Sequence, residues 1–121
     1  MSVRFKIPEA SQSDAPTPLI RLVQVRDRFT CVYCGARHVP LEVDHVRPKA
    51  HFALSAPGED VHRPRNLATA CAVCNASKGP QNLDGFSAML RGRGVPSKVV
   101  DAMRRRVRNA LRRPLPLAII P

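Results

Sequence analysis

Helical spacing of apolar residues is clearest near the C-terminus of the chain. The apolar positions that recur there at three- and four-residue intervals are Val100, Met103, Val107 and Leu111. This spacing is typical of an α-helix that buries one face. Ser97 is placed to cap the first turn, and Pro114 would end the helix. We therefore predict a helix over residues 97–113.

A second amphipathic stretch covers residues 18–28. Thr17 as N-cap and Pro18 in the first helical position favour a helix. A strand is the alternative, because Val23 and Val25 also alternate with polar neighbours.

Short elements follow between residues 29 and 79. Residues 29–35 are interpreted as a strand end that runs into a tight turn at Gly35. Residues 41–46 alternate apolar and polar positions, as in a half-buried strand whose polar face carries Glu42, Asp44 or His45. Residues 71–78 predict one or two helical turns that end at Gly79.

These elements divide the chain into five segments. We predict a flexible lead-in at 1–17, a folded domain at 18–80, a linker at 81–96, a basic amphipathic helix at 97–113 and an apolar tail at 114–121. The connection from residue 47 to residue 65 is long for a small domain, so it is either a functional or a flexible loop.

Positive charge is concentrated in the C-terminal helix. The chain of 121 residues has a formal net charge of +11, and residues 91–113 hold nine of its cationic side chains against one acidic side chain, Asp101. A charge of this size favours a polyanionic partner. Apolar runs are too short to span a bilayer and no signal peptide is recognised, so we expect a cytoplasmic protein with no membrane partner.

Arginines dominate the polar face of that helix. Between Met103 and Arg113 there are six arginines and no acidic residue, which favours binding to phosphate backbones with little sequence preference. A solvated helix is less consistent with the pattern, because solvated faces normally mix charges of both signs. An anionic membrane surface is the third interpretation, weakened by a narrow apolar stripe without aromatic residues.

The four cysteines form two C-x-x-C pairs, Cys31 with Cys34 and Cys71 with Cys74. In a cytosolic chain this arrangement indicates metal ligands before disulfides. Four thiolates suit Zn²⁺ in tetrahedral coordination, so we predict a structural zinc site. Buried free cysteines or a redox motif are the alternatives.

Asp44 and His45 lie between the two cysteine pairs. A carboxylate can ligate a hard divalent cation, and a neighbouring imidazole can accept a proton near neutral pH. Asn66 and Asn75 follow in the same segment, and a carboxamide can hold a loop or ligate a metal. Taken singly, the Asp-His pair suits a solvated strand end, and each asparagine a turn or cap.

Together these motifs resemble the zinc-stapled branch of the HNH endonuclease family. The resemblance covers residues 26–79. It is carried by RDRFTCVYCG at 26–35, LEVDH at 41–45 with Pro48, Asn66-Leu67, CAVCN at 71–75 and Lys78-Gly79.

The resemblance implies an α+β fold: a small ββα-metal domain, also called a His-Me finger, stapled by a zinc site of four cysteines. It also implies that His45 is the general base and that Asp44 and Asn75 hold the catalytic ion. The family often has His at the position of Asn75, so either Mg²⁺ or Mn²⁺ is expected. Asn66 would brace the loop and orient the base.

Cationic side chains near these motifs are candidates for contact with DNA. They are Arg47, Lys49 and Lys78, with Arg63 and Arg65, and on the helix Arg104, Arg105, Arg106 and Arg108. Each could instead be an ordinary solvated cation. His51 and His62 are interpreted as surface residues before auxiliary ligands.

The leading interpretation is a metal-dependent endonuclease acting on double-stranded DNA. The alternatives are a non-catalytic zinc module that binds nucleic acid and an adaptor in a larger DNA-processing assembly; a homodimer is also possible. Asp44, His45 and Asn75 separate these interpretations, because a binding module has no need of them.

Overall fold

A two-stranded antiparallel sheet lies at the centre of the fold. The computed structural model describes residue 15, residues 17–49 and residues 62–116. In chain order its elements are helix α1 (Thr17–Arg26), strand β1 (Leu41–His45), a 3₁₀ turn (Pro64–Asn66), strand β2 (Leu67–Cys71), and helices α2 (Ala72–Lys78), α3 (Leu83–Gly92) and α4 (Ser97–Arg112). Strand β1, strand β2 and helix α2 form the ββα arrangement, so the expected α+β fold is confirmed.

The strand register sets the two ends of the sheet. Leu41 lies opposite Cys71 at one end, and His45 lies opposite Leu67 at the other. Helix α2 starts directly after β2, and Gly79, with φ of 53°, ends it. A left-handed φ of this kind favours glycine, as predicted from the sequence.

Both faces of β1 are buried, whereas the alternating pattern predicted a half-buried strand. Ile20 and Val23 of α1 belong to a buried cluster with Val43 and Leu67. The other cluster joins β2 to the apolar face of α4. The polar face is buried as well, because polar partners on α2 cover Glu42 and Asp44.

Helix α1 is attached to β2 by a buried ion pair. Arg26 Nε donates to Asp27 Oδ1 at 2.8 Å, and the guanidinium also reaches the carbonyl oxygens of Pro64 and Leu67. Asp27 Oδ2 accepts from the backbone N–H of Thr69 at 2.8 Å. The helix alternative for residues 18–28 is therefore correct, and its end is fixed by these bonds.

The predicted linker at 81–96 contains helix α3, so that interpretation is corrected. Asn82 Oδ1 caps α3 by accepting from Gly85 N at 2.8 Å. Phe86 is buried and meets Tyr33 edge-on, with ring centroids 5.4 Å apart. Packing of Phe86 against the core stabilises a helix that Gly85 and Gly92 weaken.

Helix α4 buries the predicted apolar face. Val100, Met103, Val107 and Ala110 are buried, and Leu111 is partly buried. The structure differs at the start, where Pro96 is the N-cap and Ser97 makes no capping bond. No helix in the described residues is long and apolar enough to cross a membrane. Most of the lead-in at 1–17, most of the tail at 114–121, and His51 lie outside those residues.

Candidate active site and metal centre

The two C-x-x-C pairs come together in one cluster. All four sulfur atoms lie within 4.8 Å of one another, and the Sγ atoms of Cys34 and Cys71 are 3.8 Å apart. Tetrahedral Zn²⁺ with bonds of about 2.3 Å places its sulfur ligands about 3.8 Å apart. The four cysteines therefore fit a metal ion of this kind.

Backbone amides already point at this cluster. Cys34 N–H donates to Cys31 Sγ and Cys74 N–H donates to Cys71 Sγ, each at 3.4 Å. Cys71 is also the N-cap of α2, so one residue ends β2, caps α2 and contributes a sulfur to the cluster. The local fold of each C-x-x-C turn therefore brings its two thiols together.

The electrostatics of the cluster favour one thiolate. A hydrogen bond with Cys74 lowers the pKa of Cys31 to about 5, against the opposing effect of burial. Burial raises the pKa of Cys34, and the hydrogen bond with Cys31, followed by burial, raises the pKa of Cys74. Four thiolates would therefore need a divalent cation to stabilise them.

Asp44 is held by two partners on one oxygen. Tyr33 Oη donates to Asp44 Oδ2 at 2.5 Å, and Lys78 Nζ lies 2.9 Å from the same atom. Within the described residues no hydrogen bond reaches Asp44 Oδ1. That oxygen is the one that could ligate a cation.

Burial dominates the ionisation of this group. It raises the pKa of Asp44, while the charge of Lys78 and the Tyr33 hydrogen bond act in the opposite direction. Burial, and then the charge of Asp44, also raises the pKa of Tyr33 well above its ordinary value. Tyr33 therefore stays protonated and donates to the carboxylate.

Asn75 faces the same side of β1 from α2. Its Nδ2 donates to Glu42 Oε1 at 2.7 Å, which turns its Oδ1 into the atom available to ligate a metal. Glu42 and Asp44 are two residues apart on β1, so they share one face of the strand. Asn75 and Lys78 are three residues apart on α2, so they also share a face, and the two elements meet through two matched polar contacts.

His45 and Asn66 lie at the far end of the strands. His45 Nε2 and His62 Nδ1 are 2.9 Å apart. Asn66 Oδ1 accepts from Arg47 N at 2.8 Å and its Nδ2 donates to Arg47 O at 3.0 Å, while Val46 N–H donates to Asn66 O. The carboxamide thus fixes the backbone that follows His45, which is the arrangement a loop brace requires.

The structure corrects the position expected for Lys78. The sequence suggested a surface cation beside the site, but Lys78 is fully buried. Its Nζ contacts Asp44 and donates to the carbonyl oxygen of His45 at 3.2 Å. In this arrangement Lys78 acts on Asp44 and cannot reach a phosphate at the surface.

The other cationic candidates fall into two groups. Arg104 binds Asp84 and Ser87 of α3, both at 2.8 Å, and Arg108 Nε donates to Arg104 O. Arg105 and Lys49 are exposed, and Arg47 and Arg106 are half-buried. Arg104 therefore joins two helices, whereas Arg105 presents its charge to solvent.

Sequence reasoning missed Tyr33 and the pairing of Glu42 with Asn75. Glu42 carries a signal, since it lies two residues before Asp44 in an alternating strand. Tyr33 carries none, because its position between two cysteines does not indicate which way its ring turns.

Comparison with known proteins agrees with this geometry. Residues 31–81 match the model of a family described as HNH endonuclease. This segment therefore resembles the HNH endonuclease family. The match includes both cysteine pairs, Asp44, His45, Asn66 and Asn75.

One similar solved structure is the crystal structure of the Type II-C Cas9 enzyme from Actinomyces naeslundii. The identity is 22%, the TM-score is 0.41, and the alignment covers 78% of this chain and 11% of that chain. The present chain therefore spans about a tenth of that chain's length. No curated protein matches the chain.

Proposed function

We propose that this protein is a metal-dependent HNH endonuclease that hydrolyses phosphodiester bonds in double-stranded DNA. One observation carries the proposal: Asp44 and Asn75 are each fixed by neighbours through one polar atom, so that one oxygen of each remains to ligate a cation. A module that only binds nucleic acid has no need of this arrangement. The match of residues 31–81 to the HNH endonuclease family model supports the same function.

In this proposal the cysteine cluster holds Zn²⁺ and stabilises the fold. The sulfur spacing of 3.8 Å between Cys34 and Cys71 suits tetrahedral coordination. Its position at the junction of β2 and α2 connects zinc binding to the placement of Asn75, because Asn75 directly follows Cys74.

Asp44 and Asn75 would hold Mg²⁺ or Mn²⁺ through their Oδ1 atoms. Such an ion, when bound, supplies positive charge to the phosphate and the leaving oxygen. Lys78 and Tyr33 hold the Asp44 carboxylate in place, and Glu42 holds the Asn75 carboxamide. These residues orient the ligands, because each fixes the atom that would not face the ion.

His45 takes the proton of the attacking water in this proposal. The contact between His45 Nε2 and His62 Nδ1 holds the ring, and a neutral imidazole can accept a proton near neutral pH. Asn66 holds the backbone at Arg47 and so keeps His45 at the end of β1.

Substrate binding would use exposed and half-buried cations around the site and along α4. Arg47 and Lys49 follow His45 in the chain, while Arg105, Arg106 and Arg108 lie on α4. Contacts of this kind bind phosphates and carry little sequence information. One site per chain cleaves one strand in each encounter, so cutting both strands would require a homodimer or a second binding event.

The proposal is tested with supercoiled plasmid and zinc-loaded protein. Cleavage is measured with Mg²⁺, with Mn²⁺ and without either ion, alongside a His45→Ala variant purified in the same way. We expect relaxation that requires the added ion and falls at least about 100-fold in the variant, because general bases contribute about 10²–10⁴-fold.

DNA binding and thermal stability of His45→Ala serve as controls, and both are expected to stay near those of the parent chain. A fully active variant would exclude His45 as the base. A folded parent chain that binds DNA but never cleaves it would instead favour the non-catalytic zinc module.

A further inference from the structure

A cationic cleft lies between α4 and the turn that follows α1. We call it the arginine cleft; it has a volume of about 160 Å³ and is lined by Asp27, Arg28, Thr30, Val32, Arg106, Ala110 and Arg113. Its polar lining is mainly three arginines and one hydroxyl. Sequence reasoning counted Arg106 and Arg113 among the arginines of the C-terminal helix, but it did not bring Arg28 to the same place.

The acidic residue in the lining does not neutralise the cleft. Asp27 Oδ1 accepts from Arg26, and its Oδ2 accepts from Arg26 and from the backbone N–H of Thr69. Asp27 is buried and its charge is balanced by Arg26. The three arginines of the cleft therefore lack an acid of their own.

Ion pairing separates these arginines from Arg104 on the same helix and from Arg91 on α3. Arg104 pairs with Asp84 and Arg91 pairs with Asp101. In the described part of the chain, by contrast, the side chains of the three cleft arginines take part in no ion pair. Cations gathered without acidic partners are typical of a site that binds an anion.

The walls of the cleft are held in position. Arg106, Ala110 and Arg113 are spaced four and three residues apart, so they share one face of α4, and the small side chain of Ala110 leaves room between the arginines. On the opposite wall, Thr30 Oγ1 donates to Arg28 O at 2.9 Å. The backbone of Arg28 has a φ of 56°, which is a strained conformation for a residue other than glycine.

One further contact attaches the cleft to the metal centre. A Cβ built on Gly35, just after the first cysteine pair, would lie 3.7 Å from the nearer terminal nitrogen of Arg106. The guanidinium of Arg106 therefore lies beside the turn that holds Cys31 and Cys34. The Arg106 side chain can balance negative charge at the cysteine cluster, so its substitution could also affect the metal centre. Substitution of Arg28 and Arg113 tests the cleft alone.

The loop that follows His45 packs near a neighbouring face of α4. Leu111 lines a groove with Val46, Arg47 and Asn66, while Ala110 and Arg113 line the arginine cleft. A helix with its side chains is about 10 Å across. A nucleic-acid backbone running past the C-terminal half of α4 can therefore touch the groove and the cleft together.

We propose that the arginine cleft binds a backbone phosphate of duplex DNA away from the scissile bond and so sets how the duplex lies across the HNH site. The proposal rests on the nuclease function proposed above, since it names where that substrate is held. The volume of the cleft exceeds the roughly 30 Å³ share of one water several-fold, which leaves room for a phosphodiester group.

The test compares two double variants of equal charge in the full, zinc-loaded chain. Arg28→Gln/Arg113→Gln removes two charges from the cleft. Arg93→Gln/Lys98→Gln removes two exposed charges at the other end of α4. Residues 98 and 113 are about 22 Å apart along a helix, well beyond the screening length of about 8 Å at physiological salt.

Affinity for a labelled duplex is measured by fluorescence anisotropy at several salt concentrations. We expect the cleft variant to bind about tenfold more weakly or worse, with a salt slope reduced by about 1 to 2, because each phosphate contact contributes about 0.9 to that slope. The control variant is expected to change affinity less than about threefold. Melting temperature and zinc content verify that both variants are folded.

Equal losses in the two variants would overturn the proposal, since the arginines would then act only through net charge. Plasmid cleavage by the parent chain keeps the two proposals apart. Binding that depends on the cleft without any cleavage would support the cleft and reject the nuclease. Cleavage by the parent chain, with equal loss of DNA affinity in the two double variants, would support the nuclease and reject the cleft.

Discussion

The two ends of the β1–β2 sheet carry different polar chemistry. At the end where Leu41 meets Cys71, four thiols converge, and none of them has an acidic or cationic hydrogen-bond partner among the described residues. From Glu42 to Asp44, further along β1, the candidate ligands have protein partners: Asn75 donates to Glu42, and Asp44 pairs with Lys78. In the proposed function, the four thiols would need a divalent cation to ionise together, whereas Asp44 and Asn75 are held by protein partners alone.

In the proposed function, this difference would separate a structural metal site from a catalytic one. Thiolates that repel one another bind a metal as part of folding. Ligands already fixed by hydrogen bonds lose less freedom on binding, so a weakly held ion can come and go without unfolding the chain. Three variants break or sharpen the comparison.

The largest effect is expected for Cys71→Ser. The serine hydroxyl can still cap α2 by accepting from Cys74 N–H, so the variant removes the metal ligand and keeps the cap. Structural zinc contributes about 10–16 kcal/mol, comparable to the whole stability of a small domain at about 5–15 kcal/mol. We expect no cooperative thermal transition by circular dichroism and little bound zinc by metal analysis.

A matched control in the same helix is Val73→Ser, since Val73 is 78% exposed. It is expected to retain its zinc and its melting temperature. An unchanged melting temperature and zinc content in Cys71→Ser would mean that the cluster is not what stabilises the fold.

A smaller loss of stability is expected for Lys78→Met. The substitution keeps the length of the buried side chain but leaves Asp44 without its counter-charge, which costs about 3–5 kcal/mol when one partner of a buried pair is removed. Urea denaturation measures the change. Adding Asp44→Asn to the variant is expected to recover part of the loss, since the unpaired charge disappears.

The exposed pair of Arg91 and Asp101 provides the control for that variant. Arg91→Met is expected to cost about 0–1 kcal/mol, as exposed ion pairs do. If Lys78→Met destabilised the chain no more than Arg91→Met, the prearrangement of Asp44 by Lys78 would be disproved.

The smallest effect is expected for Glu42→Ala. Without Glu42 Oε1, Asn75 loses the bond that orients its carboxamide, and residues of this kind change metal affinity about 10–100-fold. A titration of plasmid cleavage with Mg²⁺ is expected to shift to higher concentration by that factor. Glu42→Gln keeps an acceptor oxygen and is expected to shift less; equal shifts would show that only the charge of Glu42 matters.

Sequence reasoning predicted the residues that chemistry restricts most. Cysteines in two C-x-x-C pairs have few uses, so Cys31 and Cys71 predicted a cluster that the structure confirms. The ββα fold followed from the motifs and is also confirmed. The roles of Asp44, His45, Asn66 and Asn75 remain predictions that their geometry supports.

Partners across space were harder to predict. Which residue of α2 faces Asp44 depends on the rotation of the helix, so Lys78 was assigned to the surface. Residues 81–96 were interpreted as a linker. Gly85 and Gly92 lower the helix propensity of α3, and the packing of Phe86 that stabilises it involves Tyr33, which is distant in the chain. The burial of β1 was underestimated for a similar reason, since an alternating pattern does not reveal that its polar residues have buried partners.

The position of Asn75 directly after Cys74 fixes the rotational phase of α2. Each residue turns an α-helix by about 100°, so one alanine inserted between these two residues would leave every thiol in the chain and carry Asn75 and Lys78 round to another face. Glu42 and Asp44 would then lose their partners together. The spacing between Cys74 and Asn75 thus determines which face of α2 meets β1, and it couples the geometry of the cysteine cluster to that of the candidate oxygen ligands.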